Sequence, residues 1–146
     1  MKQAVILAGG KGVRLSSRLE GLPKTLVNFN DKPLIWYQLK LLEKFGYNEV
    51  LILVNYLAEK VEAYIRNSGD WKLSIKCIRE NTPLGTAGAI LSVFEELKTK
   101  FLVIYGDTML NVDLKRFEDF HDNQENNDIT LFVHPNDHPY DSDLIE

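Results

Sequence analysis

Apolar residues in this chain fall into short runs, separated by stretches in which they recur at helical spacing. Runs without alternation are typical of strands buried on both faces of a parallel sheet, whereas alternation indicates a strand with one exposed face. The unbroken runs predict strands over residues 4–7, 50–54, 101–105 and 129–133. An alternating run predicts another strand from Leu73 onward, and a polar loop is expected over 121–127.

Four helices are predicted between these strands. The first opens at Pro33 and ends at Gly46, the second covers 58–67, the third begins near Thr86, and Asp113 caps the fourth. The residues with helical spacing are Ile35, Leu39, Leu42 and Phe45, then Val61 and Ile65, then Ile90, Phe94 and Leu97, and then Leu114, Phe117 and Phe120. The order βαβαβαβαβ predicts an α/β fold with a doubly wound, mostly parallel, Rossmann-like sheet in a three-layer αβα arrangement.

Length, composition and charge limit the classes of protein to consider. The 146 residues are 45% hydrophobic and 26% charged, which suits one globular domain over 1–146. A net charge of −4 argues against nucleic acid as a partner. No apolar run is long enough for a membrane span or a signal peptide, so we expect a cytoplasmic protein. The single cysteine, Cys77, shares a strand face with Leu73 and is predicted to be a buried hydrophobe rather than a reactive thiol.

A glycine-rich stretch directly follows the first predicted strand. Glycine lets the backbone turn sharply, so that successive N–H groups can converge on an anion, and Arg14 adds positive charge there. This predicts a phosphate-binding loop with the candidate residues Leu7, Ala8, Gly9, Gly10, Lys11, Gly12 and Arg14. The P-loop pattern is absent, and the dinucleotide fingerprint fails because Leu15 stands where its third glycine belongs. The alternative is a glycine-rich surface turn that binds nothing.

Two further charged residues are candidates for the same site. Lys24, which follows Pro23, is interpreted either as a second phosphate-binding cation or as a solvated surface lysine. Asp107 follows the strand over 101–105, at the strand end where open α/β sheets bind ligands. Because Asp113 is the better cap for the next helix, Asp107 has no structural role in the pattern. Magnesium favours oxygen ligands and often uses one carboxylate with substrate phosphates, so Asp107 is the predicted Mg²⁺ ligand.

Small residues mark the start of the third predicted helix. Gly85, Ala87, Gly88 and Ala89 are all small, so a flat ligand could lie against the helix start, and Thr86 between them is a further candidate contact. Tight packing of the helix on the sheet is an equally good interpretation.

Together these motifs resemble those of the sugar-1-phosphate nucleotidyltransferases, also called nucleoside-diphosphate-sugar pyrophosphorylases. Residues 7–15 are similar to the family's signature loop, which usually has threonine where Val13 stands. Pro23-Lys24 matches its Pro-Lys step, residues 84–89 match its base-binding loop, and Gly106-Asp107 matches its metal-binding Gly-Asp. Among the members, the sequence resembles the D-glycero-D-manno-heptose-1-phosphate guanylyltransferases.

The resemblance implies a Mg²⁺-dependent reaction in which a sugar 1-phosphate attacks the α-phosphorus of a nucleoside triphosphate and pyrophosphate leaves. Arg14 would stabilise the leaving pyrophosphate, Lys24 would hold the attacking phosphate or the α-phosphate, and Asp107 would bind the Mg²⁺. Valine in place of threonine at Val13 removes one hydroxyl donor and leaves the backbone donors intact.

The position of Glu80 bears on which nucleotide is used. Glu80 lies five residues before Gly85, where the family has a side chain that reads the base. An ionised carboxylate only accepts hydrogen bonds, and guanine offers two adjacent N–H donors, so GTP is favoured. Uracil and thymine would suit glutamine better, and a cytidylyl- or uridylyltransferase remains a rival. A solvent-facing glutamate at a strand end is the structural alternative.

The resemblance also carries expectations about the rest of the protein. The family usually has a second metal-binding aspartate and a sugar-binding lobe, neither of which is found here. We therefore expect 1–146 to be a nucleotide-binding domain, the N-terminal part of a longer protein, and a nucleotide-binding module without turnover is a rival.

The C-terminal residues 134–146 resemble the variant fused to a phosphatase domain. A fused or separate phosphatase is therefore a further candidate partner, and a second copy of the chain in a homo-oligomer is another candidate. Two histidines and three aspartates in 134–143 also suggest a zinc or iron site, but two prolines there argue against ligands on one helix face.

Overall fold

The computed structural model describes residues 1–10 and 21–133. The chain forms two compact units, Met1–Asn111 and Val112–Glu146. The expectation of one nucleotide-binding domain over 1–146 stays a prediction. Among the described residues no helix has the length and apolar character needed to cross a membrane.

The first unit is built on a parallel sheet. The strands are β1 (Lys2–Ala8), β2 (Asn28–Phe29), β3 (Lys32–Pro33), β4 (Tyr47–Val54), β5 (Ser74–Arg79) and β6 (Leu102–Tyr105). The helices are α1 (Leu34–Lys44), α2 (Ala58–Asn67) and α3 (Gly85–Leu91), with α4 (Leu114–Asp122) in the second unit. Four strands form the main sheet in the order β5-β4-β1-β6, and all its pairs are parallel, whereas β2 and β3 form a small antiparallel pair. The predicted parallel, doubly wound sheet is confirmed.

The strand order creates a crevice at the carboxyl ends of β1 and β6. The chain moves outward from β1 through β4 to β5 and then returns to place β6 on the other side of β1. This reversal creates a topological switch point between β1 and β6, where open α/β sheets leave a crevice at the carboxyl ends of the strands. Leu7 of β1 pairs with Tyr105 of β6, so the residues that follow both strands meet at that crevice.

The two central strands, β1 and β4, are buried on both faces, as their unbroken apolar runs predict, whereas β6, which was also predicted to be buried, ends in the exposed Tyr105. On one face, Val5 and Leu51 pack in a cluster with Ala89 of α3 and with Val93. The alternate residues of β1 and β4 are also fully buried: Ala4, Ile6, Val50, Ile52 and Val54. Helix α1 packs against β4, and its predicted stripe residues Ile35, Leu39 and Leu42 are fully buried.

Several helix signals act as predicted. Helix α1 begins directly after Pro33, and α2 has the predicted bounds. The Asp113 carboxylate accepts a hydrogen bond from the Arg116 backbone N–H (3.1 Å) and caps α4.

Cys77 is partly buried, and burial, followed by the charge of Glu62, raises the pKa of its thiol to about 11. The thiol is therefore protonated at neutral pH, as expected of a structural cysteine.

The third helix is shorter than its apolar spacing indicates. Helix α3 ends at Leu91, and a separate 3₁₀ turn covers Phe94–Glu96. The Ser92 hydroxyl donates to the Ala89 carbonyl oxygen (2.7 Å), a local bond that competes with continued helix. The prediction of one helix through Phe94 is wrong: Phe94 is exposed, and Val93 is the residue that packs inward.

The second unit departs further from expectation. Residues 129–133 do not form the predicted strand, and the apolar side chains there are exposed, as is Phe120 of α4. A strand needs a neighbour for its backbone N–H and C=O groups, and no strand pairs with this segment in the part of the chain that the structure describes. Instead the Thr130 hydroxyl lies 2.8 Å from the His121 ring Nδ1 and accepts from Asn127 (2.6 Å). The polar loop is also shorter than predicted, because α4 continues through Asp122.

Candidate functional site

A cavity of about 380 Å³ lies at the carboxyl ends of β1 and β6, where the sheet topology places a crevice. Of the predicted site residues, those that line it are Leu7, Ala8, Gly9, Gly10, Lys24, Glu80, Gly85, Thr86 and Asp107. Ala87 is not among the lining residues. Lys11, Gly12 and Arg14 lie outside the described residues, as does the whole segment 134–146. Candidates separated by up to 100 positions in sequence, Leu7 and Asp107, thus share one cavity.

The junction of β1 and β6 depends on Gly106. Its backbone N–H donates to the Leu7 carbonyl oxygen (2.9 Å), which continues the parallel ladder one residue past β6. A Cβ at position 106 would lie 2.7 Å from that oxygen and 3.2 Å from the Ala8 Cα. Both are backbone atoms in a buried strand, so only glycine fits, and this close approach places Asp107 beside the end of β1.

Lys24 and Asp107 form an ion pair at the mouth of the cavity, with 2.9 Å between Nζ and Oδ2. Lys24 begins a 3₁₀ turn that is anchored by the buried Thr25 and Leu26 and closed by a bond from the Leu26 N–H to the Pro23 carbonyl oxygen (2.8 Å). The two charged side chains keep 30% and 46% of their surface exposed. A ligand can therefore reach both without unfolding the turn.

Glu80 closes the other side of the cavity. Its backbone N–H donates to the Val54 carbonyl oxygen (2.8 Å), and its own carbonyl oxygen accepts from the Asn55 side-chain amide (2.7 Å). These bonds hold the Glu80 backbone against the end of β4. The Glu80 side chain reaches the end of β1, where a Cβ at Gly9 would lie 2.6 Å from the Glu80 Oε2.

The Glu80 carboxylate is short of hydrogen-bond donors. Its Oε1 is buried and has no hydrogen-bond partner in the described part of the chain. Burial raises the pKa of this carboxyl above its ordinary value, because the charged form loses hydration. The cavity therefore contains an acceptor-only group that lacks a donor, a feature of sites that recognise N–H groups.

The start of α3 forms the third wall. Gly85 has a φ of 68°, in the left-handed region that favours glycine, and the chain turns there into the helix. Gly85, Thr86 and Ala89 line the cavity, whereas Ala87 is exposed and does not line it. Since successive helical residues project about 100° apart, residues 85, 86 and 89 share a side of α3 that residue 87 does not. The small side chains give this wall a flat surface.

The carboxylates of the cavity suit a magnesium ion only if a bound phosphate supplies further oxygen ligands. Among the described residues no group of three or more His, Cys, Asp or Glu side chains could hold a metal by itself. Asp107 is a single accessible carboxylate, and its ion pair with Lys24 uses Oδ2. Magnesium in phosphate-transfer sites is commonly held by one or two carboxylates and by the substrate's phosphates. The donor set fits a magnesium ion that arrives with a phosphate ligand.

Sequence reasoning missed several lining residues. Thr25 and Tyr105 line the cavity next to Lys24 and Gly106, and Leu53 and Pro83 complete its apolar walls with Leu84 and Ala89 of the predicted stretch 84–89. Tyr105 was detectable in principle, because it ends a predicted central strand. Thr25 gave no signal, since it is a polar residue with 2% exposure in an apolar segment.

Comparison with known proteins adds independent information. The model of a family described as Nucleotidyl transferase matches residues 3–142. The chain is 36% identical over 116 residues to the D-glycero-alpha-D-manno-heptose 1-phosphate guanylyltransferase of Campylobacter jejuni subsp. jejuni serotype O:2, covering 80% of this chain and 52% of that protein. It is 30% identical over 141 residues to a probable glucose-1-phosphate cytidylyltransferase of Bacillus subtilis, covering 82% and 55%.

A solved structure agrees. The crystal structure of HddC from Yersinia pseudotuberculosis complexed with GMP-PN superposes with a TM-score of 0.71 at 36% identity, covering 82% of this chain and 54% of that one. The chain spans about half the length of the curated relatives that it matches.

Proposed function

The chain belongs to the nucleotidyl transferase family, and we propose that it binds a nucleoside triphosphate, with GTP favoured, for transfer of its nucleotidyl group to a sugar 1-phosphate. One observation carries this proposal: Lys24, Asp107 and Glu80 line one cavity at the switch point of the sheet. Each supplies a different contact, a cation for phosphate, a carboxylate for Mg²⁺ and an acceptor for a base. Binding sites of open α/β sheets occur at this position.

In the proposed reaction, a phosphate oxygen of the sugar 1-phosphate forms a bond to the α-phosphorus of the triphosphate. The bond from the α-phosphorus to the oxygen that bridges the α- and β-phosphates breaks. Pyrophosphate leaves with the electron pair of that bond. The products are a nucleoside-diphosphate sugar and pyrophosphate. Such displacement depends on positioning and on neutralisation of phosphate charge more than on covalent help from the protein. Asp107 would hold a Mg²⁺ ion, which supplies that neutralisation when bound.

The Lys24–Asp107 ion pair supports these roles. Without ligand, the two charges neutralise each other across 2.9 Å. A bound phosphate would offer Lys24 a new anionic partner, and the accompanying cation would offer one to Asp107. Both side chains are partly exposed, and exposed ion pairs contribute only about 0–1 kcal/mol, so exchanging partners costs little.

Glu80 supports the choice of guanine. Its unpartnered Oε1 and the Oε2 beside Gly9 form a pair of acceptors. Guanine presents adjacent N1–H and N2–H donors, which such a pair can accept, whereas uracil presents one donor between two acceptors. A cytidylyl- or uridylyltransferase is the second candidate, and the name of the Bacillus relative, a probable glucose-1-phosphate cytidylyltransferase, supports the cytidylyl form.

Calorimetric titration of the chain with GTP, UTP, CTP and ATP, with and without Mg²⁺, tests the proposal. We expect Mg²⁺-dependent binding with GTP preferred, and loss of the Mg²⁺ dependence in Asp107→Asn. Asp31→Asn is the matched control, because Asp31 is exposed and does not line the cavity. A folded chain that binds no nucleotide, or that binds equally with and without Mg²⁺, would contradict it.

A further inference from the structure

We propose that Gln38 is a positioning residue that holds the Gly106-Asp107 turn, and thereby the proposed Mg²⁺ ligand, in place. The inference rests on the proposed function for the role of Asp107. Gln38 lies on α1, next in sequence to Leu39 and three residues after Ile35, both fully buried. Gln38 itself is only 1% exposed. A polar side chain is thus inserted where the helix pattern calls for an apolar one.

The two amide hydrogens of Gln38 reach one turn at both ends. Its Nε2 donates to the Tyr105 carbonyl oxygen (2.9 Å) and to the Thr108 carbonyl oxygen (2.8 Å). The Thr108 backbone N–H also donates to the Tyr105 carbonyl oxygen (3.1 Å), which closes a four-residue turn. Gly106 and Asp107 occupy the two central positions of that turn. Gln38 therefore clamps the first and last residues of the segment that carries the carboxylate.

The turn is fixed from the sheet side as well. The Gly106 N–H donates to the Leu7 carbonyl oxygen at the end of β1. The backbone of Asp107 is thus held between the sheet on one side and α1 on the other. Only the side-chain torsions of Asp107 remain free to adjust to a ligand. Such a support matters because a binding group is effective only when its own position is fixed by its neighbours.

The chemistry of this position requires an amide. Two carbonyl oxygens need two N–H donors, and an amide supplies both from one nitrogen without a charge. The Gln38 Oε1 is buried and has no partner in the described ranges, so the side chain leaves one acceptor unpaired while both donors are used. Rotating the Gln38 amide by 180° would direct Oε1 at the carbonyl oxygens of Tyr105 and Thr108. The orientation of the amide is therefore set by the 105–108 turn. An unpaired buried acceptor calls for an explanation, and positioning the turn provides one.

Gln3 offers a matched control within the same unit. It is also 1% exposed, and its amide also bonds to backbone, donating to the Glu96 carbonyl oxygen (2.9 Å) and accepting from the Lys98 N–H (2.8 Å). Gln3 lies near the start of β1, whereas the cavity is at the other end of that strand. The variants Gln3→Met and Gln38→Met each remove two hydrogen bonds made by a buried side chain, but only the second acts on the Asp107 turn.

The test compares Gln38→Met and Gln3→Met in the full 146-residue chain by two readouts. The first is amide hydrogen exchange of Gly106 and Thr108 without ligand. The second is the Mg²⁺ concentration that half-saturates GTP binding in calorimetry. We expect Gln38→Met to exchange both amides faster and to need about 10-fold more Mg²⁺, the lower end of the loss seen when a group supporting a metal ligand is removed. Gln3→Met should leave both readouts within about twofold of the wild type, below that loss.

Three outcomes would overturn the inference: unchanged exchange at both amides in Gln38→Met, an unchanged Mg²⁺ requirement in that variant, or equal effects of the two glutamine variants. If Gln38→Met does not fold, Gln38→Asn replaces it. Gln38→Asn keeps both donors on a shorter side chain, and an effect at Gly106 and Thr108 larger than that of Gln3→Met is still required. If the wild-type chain binds no GTP, the proposed function fails. The exchange measurement then decides separately whether Gln38 holds the turn.

Discussion

Two glycines flank the end of β1, and they are glycines for different reasons. On the β6 side, a Cβ at Gly106 would meet backbone atoms of Leu7 and Ala8 that cannot move without displacing the central strand. On the β4–β5 side, a Cβ at Gly9 would meet the Glu80 Oε2, the far end of a side chain that can rotate away. Neither glycine has a left-handed φ, so contact alone decides. The comparison separates a requirement of the fold from a requirement of the ligand site.

The largest effect should come from Gly106→Ala. We expect it to lower the free energy of unfolding by about 1–3 kcal/mol, the usual result of forcing a methyl group into packed backbone. Gly9→Ala should change that free energy by no more than about 0.5 kcal/mol, while weakening GTP binding because the Glu80 carboxylate is displaced. Urea unfolding measures the free energy of unfolding of both variants, and calorimetric titration measures their GTP affinities. Equal losses of stability would remove the distinction between the two sides.

This distinction also shows which parts of the site the sequence could predict. The apolar and alternating runs indicated the strands of the main sheet, whereas the order of those strands, which brings Gly9 and Asp107 together, is seen only in the structure. Motif residues at strand ends are predictable because parallel strands deliver their carboxyl ends to one edge. Lys24 lines the cavity together with Asp107, but the ion pair between them depends on a distance between distant segments, which no local pattern encodes.

Other features were not predictable from local patterns. Gln38 and Thr25 are buried polar residues, and a hydropathy pattern expects polar residues at the surface. The spacing of Ile90 and Phe94 continued a helical period across a break at Ser92, because periodicity does not report where a helix stops. The run 129–133 has the composition of a strand, but strand formation depends on a partner, which is a tertiary property.

On the β4–β5 side, Glu80→Gln should change the preferred base. An uncharged amide offers one acceptor and one donor group, so the pairing with guanine weakens and that with uracil improves. We expect the ratio of GTP to UTP affinity to fall about tenfold, since a hydrogen bond to a charged group is worth about 1.5–3 kcal/mol. Competitive titration in the presence of Mg²⁺ measures the ratio. Glu62→Gln is the control, because Glu62 pairs with Arg79 outside the cavity. An unchanged ratio would remove Glu80 from base recognition.

The same residue predicts a smaller effect of pH on stability. Burial raises the pKa of Glu80 in the folded chain, so the folded state binds the proton up to a higher pH than the unfolded state does. The Glu80 contribution to the free energy of unfolding should therefore fall as pH rises from the ordinary carboxyl pKa through the raised one. Glu80→Gln should remove this fall, so the variant gains stability relative to wild type over that window. Urea unfolding of both proteins across a pH series measures the difference. Glu62, whose pKa is lowered by the Arg79 hydrogen bond, contributes the opposite slope to both proteins and cancels.

The smallest effect on stability is expected from Lys24→Met on the β6 side of the cavity. Lys24 pairs there with Asp107, the residue after Gly106. If these charges serve a ligand, then Lys24→Met should change the free energy of unfolding by no more than about 1 kcal/mol, because exposed ion pairs contribute little. GTP affinity should nevertheless fall, because Lys24 is proposed to hold a phosphate. Lys115→Met is the control, since Lys115 pairs with Asp119 at a similar distance (2.8 Å) on α4 and does not line the cavity. A loss of stability in Lys24→Met as large as that in Gly106→Ala would contradict this expectation, because the ion pair would then hold the fold together. The β6 side would in that case supply rigidity alone, and phosphate binding would have to depend on other residues of the cavity.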